Sequence, residues 1–286
     1  MANKLLPRMA EIAAARMPNW MLAGMYKLGP ISDWIRQRLN RDLPSEASVV
    51  EISSGPLRGR QMKLRLQSEK DYWLGSYELD LIEELKKRVP EKAIAFDVGA
   101  NIGYLSLVLA KLLGPEGRVW AYEALPANAE RLNENVQING FEKRIALKQV
   151  AISAKSGQAK FKVHASGGMG KLAGAKGRDE EYLQEIRVES ASLDDLVFKQ
   201  GIPSPDLIKI DIEGAEGAAL QGASRLLNEV RPLLFIELHG QEAAQKVLDI
   251  LKKHDYSLRK MGAGSAMVET LSDLDWKSYV IGEPKQ

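Results

Sequence analysis

Four carboxylates and a histidine stand where apolar runs of this sequence give way to turns. Asp97 follows Ala93–Phe96, Glu123 follows Arg118–Tyr122, Asp211 and Glu213 follow Leu207–Ile210, and His239 follows Leu233–Leu238. A carboxylate can hold hydroxyls or an ammonium group, and an imidazole with an ordinary pKa of about 6.5 can move a proton at neutral pH.

The first run continues as Asp97-Val98-Gly99-Ala100-Asn101-Ile102-Gly103-Tyr104. An apolar strand, a carboxylate, then glycines opening a helix is a nucleotide-binding geometry. Gly99 and Gly103 let backbone approach a ligand and let the helix pack on the strand. The spacing is G-x-x-x-G, with Asn101 where a dinucleotide loop has its second glycine. Asp97 at the strand end repels phosphate and suits a cationic amine. The expected ligand is therefore a nucleoside carrying positive charge, and S-adenosyl-L-methionine fits. Glu123 lies about where an acidic residue grips ribose hydroxyls. Ala151, in Val150-Ala151-Ile152-Ser153, is placed to offer backbone groups to an adenine edge. Ala100 and Ala124, beside these residues, are counted with the same cofactor site.

The elements that must position these residues alternate. Strands are expected at 93–96, 118–122, 145–150, 207–210 and 233–238, with helices at 102–113, 126–138, 215–229 and 241–253. Ser257–Lys260 and Tyr279–Ile281 close the sheet. Such alternation implies a mostly parallel, doubly wound α/β sheet covered on both faces, which puts every strand end named above in one crevice. A hairpin is expected over 47–66, and a second over Lys160–His164 and Glu185–Glu189 around a glycine-rich 166–177 loop that suits a lid. Residues 1–69 read as an N-terminal helical arm and hairpin, and 70–286 as the nucleotide-binding domain. The first 45 residues carry seven basic side chains against three acidic. That arm is expected to pack on its own domain, with peripheral membrane contact as its other reading.

The chain has 286 residues, 45% hydrophobic and 27% charged, with a formal net charge of +2. The near-neutral balance argues against a nucleic-acid partner. There is no cysteine, which excludes disulfides, zinc–thiolate sites and thiol catalysis. No secretory signal and no apolar span of membrane length are apparent, so a cytoplasmic location is expected.

The segments DVGANIGYLSL at 97–107, YEALPANAERLNENVQING at 122–140, VAIS at 150–153, IKIDIEGAE at 208–216 and FIEL at 235–238 resemble the FkbM family of class I S-adenosylmethionine-dependent methyltransferases. The resemblance covers roughly residues 70–260. It implies a Rossmann-like, seven-stranded sheet whose last strand is antiparallel, and O-methylation of a small molecule or glycan. By matching position it implies that Asp97, Gly99 and Asn101 line the methionine part of the cofactor. It places Glu123 on the ribose, Ala151 by the adenine and Asp211 near the transferred methyl.

Methyl transfer from a sulfonium is an in-line displacement, and an alcohol needs a base to take its proton. His239 is the expected base, with Asp211 as a second base or a holder of the acceptor hydroxyl. Glu78, at the end of the aromatic-rich stretch Asp71-Tyr72-Trp73-Leu74-Gly75-Ser76-Tyr77-Glu78, is expected to meet the cofactor's ammonium. Asp211, Glu213, Glu237 and His239 together would suit a divalent cation, but helix-capping accounts for the acids equally well and no metal is assigned. His164 and His254 are expected to be solvated. Three other readings stand beside this one. A nucleic-acid methyltransferase lacks its Asn/Asp-Pro-Pro-aromatic segment, a nicotinamide oxidoreductase lacks its middle glycine, and a membrane-associated scaffold leaves the 97–103 loop without a use.

Overall fold

The computed structural model describes residues 46–164, 169–175, 182–262 and 265–285. The N-terminal arm lies outside them, as do 166–168 and 176–177 of the glycine-rich loop. The chain divides into two units, Met1–Ile82 with Gln137–Gly140, and Glu83–Val136 with Phe141–Gln286.

The described part of the first unit is the expected hairpin and the segment after it. Strand β1 (Ser48–Glu51) pairs antiparallel with β2 (Gln61–Leu64), and the Asn139 side chain bonds both backbone groups of Gln61. Helix α1 (Lys70–Leu74) ends at Gly75, whose N–H returns to the carbonyls of the last turn. Trp73 is buried, and the Tyr72 and Tyr77 rings meet at a tilt of 59° with centroids 4.5 Å apart. Helix α2 (Leu79–Arg88) starts here.

The second unit is built on β3 (Ile94–Val98), α3 (Tyr104–Leu112), β4 (Arg118–Glu123), α4 (Pro126–Ile138) and β5 (Ile145–Gln149). It continues with β6 (Ala151–Ile152), β7 (Gly157–His164), β8 (Gly170–Leu172), β9 (Tyr182–Ala191), α5 (Leu193–Phe198) and β10 (Leu207–Ile210). It closes with α6 (Glu216–Gln221), α7 (Ser224–Glu229), β11 (Leu233–His239), α8 (Gln241–Lys253), β12 (Tyr256–Lys260) and β13 (Lys277–Pro284). Seven strands form one sheet in the order β12-β13-β11-β10-β3-β4-β5. The pairs from β11 to β5 are parallel, and β13 runs antiparallel to both neighbours. Central strands such as β10 (Leu-Ile-Lys-Ile) are buried at every position, because helices cover both faces.

Three local expectations are revised. The helix expected over 215–229 is two helices, broken at Gly222. A Cβ there would lie 2.3 Å from the Ser153 carbonyl oxygen. The Asp194 carboxylate caps the restart by accepting the N–H groups of Arg225 and Leu226, both at 2.9 Å. Part of the glycine-rich loop is a strand, since β8 pairs with β7 in a second, four-stranded sheet ordered β6-β9-β7-β8. His254 is buried rather than solvated. Its Nδ1 lies 2.7 Å from Asn228 Oδ1, and burial pushes its pKa below the ordinary value. Among the described residues, no helix is long and apolar enough to cross a membrane.

Candidate active site

The carboxyl ends of β3, β4, β10 and β11 carry the expected side chains into one region of the second unit. The loop after β3 is tightly coiled, with positive φ at Gly99 (79°), Asn101 (49°) and Gly103 (89°). The N–H groups of Gly99 and Ala100 both turn to the Tyr122 carbonyl, which fixes this loop against β4. Gly99 has no room for a side chain, as a Cβ would sit 1.9 Å from the Asp211 carbonyl oxygen. Gly99→Ala is therefore expected to destabilise the fold by about 2–4 kcal/mol, combining backbone strain with a clash between two loops. Urea unfolding checks it. A midpoint equal to that of the unaltered protein would mean the loops do not touch as described.

Glu123 ends β4 nearly buried, and its two oxygens accept backbone N–H groups from both sides. Oε2 takes Asn101 at 2.8 Å and Oε1 takes Leu125 at 2.9 Å. Burial pushes its pKa up, against these hydrogen bonds and the charge of Lys209, which pull it down. Each carboxylate oxygen has a second lone pair. The residue can therefore hold the loop and still receive hydroxyl donors. Ala124 and Ala151 pack together in a small apolar cluster with Leu125, Phe161 and Val188.

Asp97 is fully buried. Its Oδ2 accepts the Ser106 hydroxyl at 2.6 Å, and its Oδ1 lies 3.4 Å from Lys209 Nζ. Lys209 faces Asp97 across the β3–β10 register and also donates to the Gly99 carbonyl at 3.2 Å. Asp97 thus ties α3 and β10 to the loop. Its side chain faces protein groups, whereas the sequence alone suggested a ligand amine. Removing one partner of a buried ion pair typically costs about 3–5 kcal/mol. Lys209→Met is expected to lose stability on that scale, read in the same unfolding experiment, and an unchanged midpoint would show that the pair is dispensable.

The reactive-looking cluster lies at the ends of β10 and β11. His239 is 1% exposed. Its Nδ1 bonds Glu216 Oε1 at 3.1 Å, and the same oxygen accepts the Gly214 N–H. In this bond Nδ1 is the ring nitrogen engaged, and Nε2 is left facing outward from it. Nε2 lies 3.9 Å from Asp211 Oδ1, 3.7 Å from Glu213 Oε2 and 3.6 Å from Glu237 Oε1. Burial opposes protonation of His239, but the Glu216 hydrogen bond and the charges of Asp211, Glu216 and Glu213 outweigh it, raising the pKa.

Strand β13 completes this cluster through its register, which sets Tyr279 opposite Glu237 and Lys277 opposite His239. The Tyr279 hydroxyl donates to Glu237 Oε2 at 2.6 Å, and Lys277 pairs with Oε1. The half-exposed Trp276 indole meets the His239 ring edge-on at 6.5 Å between centroids. Of the expected residues, Asp97, Gly99, Ala100, Asn101, Gly103, Glu123, Ala124, Ala151, Asp211 and His239 all belong to the second unit. Glu78 belongs to the first, just before α2, with φ of 50°. Lys209, Glu216, Trp276, Lys277 and Tyr279 join the cluster without having been singled out. Lys209 and Glu216 sit within the 208–216 motif, whereas nothing local marks 276–279.

Residues 97–258 match the model of the methyltransferase FkbM domain. Hexuronic acid methyltransferase AglP of Haloferax volcanii is 25% identical over 232 residues, 79% of this chain and 88% of that protein. The 2-O-methyltransferase NoeI of Sinorhizobium fredii is 31% identical over 163 residues, 52% of this chain and 64% of NoeI. The solved structure of the methyltransferase FkbM from Methylobacillus flagellatus KT aligns with a TM-score of 0.47 at 18% identity, over 76% of this chain and 53% of that one. With more than half of its length matched by that domain, the chain belongs to the FkbM methyltransferase family.

Proposed function

We propose that the protein transfers a methyl group from S-adenosyl-L-methionine to a hydroxyl of a sugar, free or within a glycan. The observation that carries this is the pairing of two half-sites on one sheet edge. A positive-φ loop anchored by Glu123 lies at the ends of β3 and β4, and an imidazole–carboxylate cluster lies at the ends of β10 and β11. The first half suits a nucleoside, with Glu123 on the ribose hydroxyls, Gly99, Ala100, Asn101 and Gly103 along the amino-acid part, and Ala124 and Ala151 beside the base. The second half suits an alcohol. Asp211 and His239 face the acceptor hydroxyl, and His239 Nε2 takes its proton as the oxygen comes within about 3 Å of the methyl carbon. The oxygen forms its bond to that carbon, the sulfur keeps the electron pair, and S-adenosylhomocysteine leaves.

The sugar acceptor is supported by the two relatives, whose names describe a hexuronic acid methyltransferase and a 2-O-methyltransferase. Calorimetric titration with S-adenosylmethionine and S-adenosylhomocysteine tests the cofactor. Dissociation constants of about 1–100 μM, or roughly 5–8 kcal/mol, are expected. Radiolabelled methyl donor supplied with methyl glycosides of hexuronic acids and neutral hexoses tests the acceptor. Folded protein that binds neither cofactor form would end this reading.

A further inference from the structure

We propose that Asp211, Glu237 and His239 bind a divalent cation, with Glu216 orienting the histidine from behind. One ligand atom from each of the three lies within 4.8 Å of the others. The separations carry the argument. Nε2 of His239 stands 3.9 Å from Asp211 Oδ1 and 3.6 Å from Glu237 Oε1. A proton passed between imidazole and carboxylate calls for contacts of about 2.6–3.2 Å. Two ligands each about 2.1 Å from one ion, and between a right angle and opposite one another, lie about 3.0–4.2 Å apart. Both histidine–carboxylate separations fall in the second range, and the Asp211 and Glu237 oxygens lie within 4.8 Å of one another.

The histidine supplies an independent sign. It is 1% exposed, and its hydrogen bond is made by Nδ1 to the fully buried Glu216. Nε2, the buried nitrogen aimed at the carboxylates, has none of them within hydrogen-bond reach. A histidine whose far nitrogen donates to a carboxylate while the near one faces oxygen ligands is the arrangement found around bound metals, where the far bond fixes tautomer and ring orientation. Glu237 is likewise buried, and the oxygen it turns toward His239, Oε1, is the one paired with Lys277. An ion here would share Glu237 with that ammonium and with the Tyr279 hydroxyl. Lys209, the ammonium beside Asp211, is shared with Asp97.

Two carboxylates and one imidazole favour a cation that accepts both oxygen and nitrogen, the class of Mn²⁺ and Zn²⁺ more than Ca²⁺. Three protein ligands leave positions for exogenous oxygens. Asp211 is the most exposed of the three, so the opening lies on its side. Neighbouring hydroxyls of a sugar ring suit such positions, and a bound hydroxyl would lose its proton more readily, in that case to Asp211 Oδ2, because His239 Nε2 would then serve as a ligand in place of a base. That last step rests on the sugar-methylation reading above, but cation binding itself does not.

The test is calorimetric titration of the metal-stripped full chain with Mn²⁺ alone, and separately with S-adenosylhomocysteine. One saturable Mn²⁺ site per chain is expected, weakened at least tenfold by Asp211→Asn and by Glu237→Gln. Glu216→Gln is expected to weaken it about 10–100-fold without removing a ligand. An unchanged far-ultraviolet circular dichroism spectrum would show each variant folded, and Asp211→Asn decides the matter where a buried substitution fails to fold. No saturable binding up to about 1 mM Mn²⁺, roughly 4 kcal/mol, overturns the proposal. Equal binding by the unaltered chain and Asp211→Asn overturns it too. Mn²⁺ binding without S-adenosylhomocysteine binding would instead overturn the methyl-transfer reading and leave the cation site standing.

Discussion

Glu123→Ala is expected to weaken S-adenosylhomocysteine binding by about two to four orders of magnitude. Two hydroxyl donors to a carboxylate contribute about 1.5–3 kcal/mol each, and each 1.4 kcal/mol is tenfold. The loss includes a positional part. The same carboxylate accepts the N–H groups of Asn101 and Leu125, so its removal also loosens the loop that the ligand must meet. Glu123→Gln sharpens the test. An amide keeps the size but turns one oxygen into an NH₂ group, and whichever way it lies that group faces a backbone N–H. Glutamine is therefore expected to rescue little of the affinity. Titration calorimetry with circular dichroism as a fold control checks both variants. Binding by Glu123→Ala within threefold of the unaltered protein would remove this residue from the cofactor site.

His239→Ala is expected to leave that titration nearly unchanged and to lower the rate of methyl transfer by about 10²–10⁴-fold, the usual contribution of a group that handles the proton of a reacting hydroxyl. The two variants should separate kinetically. High cofactor concentration should restore the Glu123 variants, because they lose binding, whereas nothing in excess should restore His239→Ala, because it loses the transition state. A His239→Ala enzyme with unaltered kcat would mean that the cluster at the ends of β10 and β11 is structural.

Much of this arrangement was legible along the chain because its signals are local. Alternating apolar runs and helical stretches announce the sheet, and the turn Asp97–Gly103 shows its glycines in sequence. The parts that stayed hidden depend on register across strands. That Lys209 meets Asp97 follows from the pairing of β10 with β3, over more than a hundred residues of chain. Tyr279 reaches Glu237 only because β13 enters antiparallel beside β11. Glu216 reads as an ordinary helix-start acid until the ring of His239 is placed next to it. The break at Gly222 depends on the approach of Ser153 from another element, which no helical periodicity encodes. His254 looked exposed because it follows a helix rich in lysine, yet Asn228 and the surrounding core enclose it.

Strand β13 is the last described strand of the chain but an interior strand of the sheet, seated between β11 and β12. Those two earlier strands are joined only through it, so this side of the sheet cannot close until β13 has been made. The loop after β3 and its Glu123 anchor need only residues up to Leu125 for their mutual bonds. A growing chain can therefore make these two bonds early, but Lys209 must follow to reach Asp97 and the Gly99 carbonyl, and Lys277 and Tyr279 come last. A polypeptide stopped before Lys277 would leave Glu237 without Tyr279 and Lys277, and β12 without the strand that ties it to the sheet.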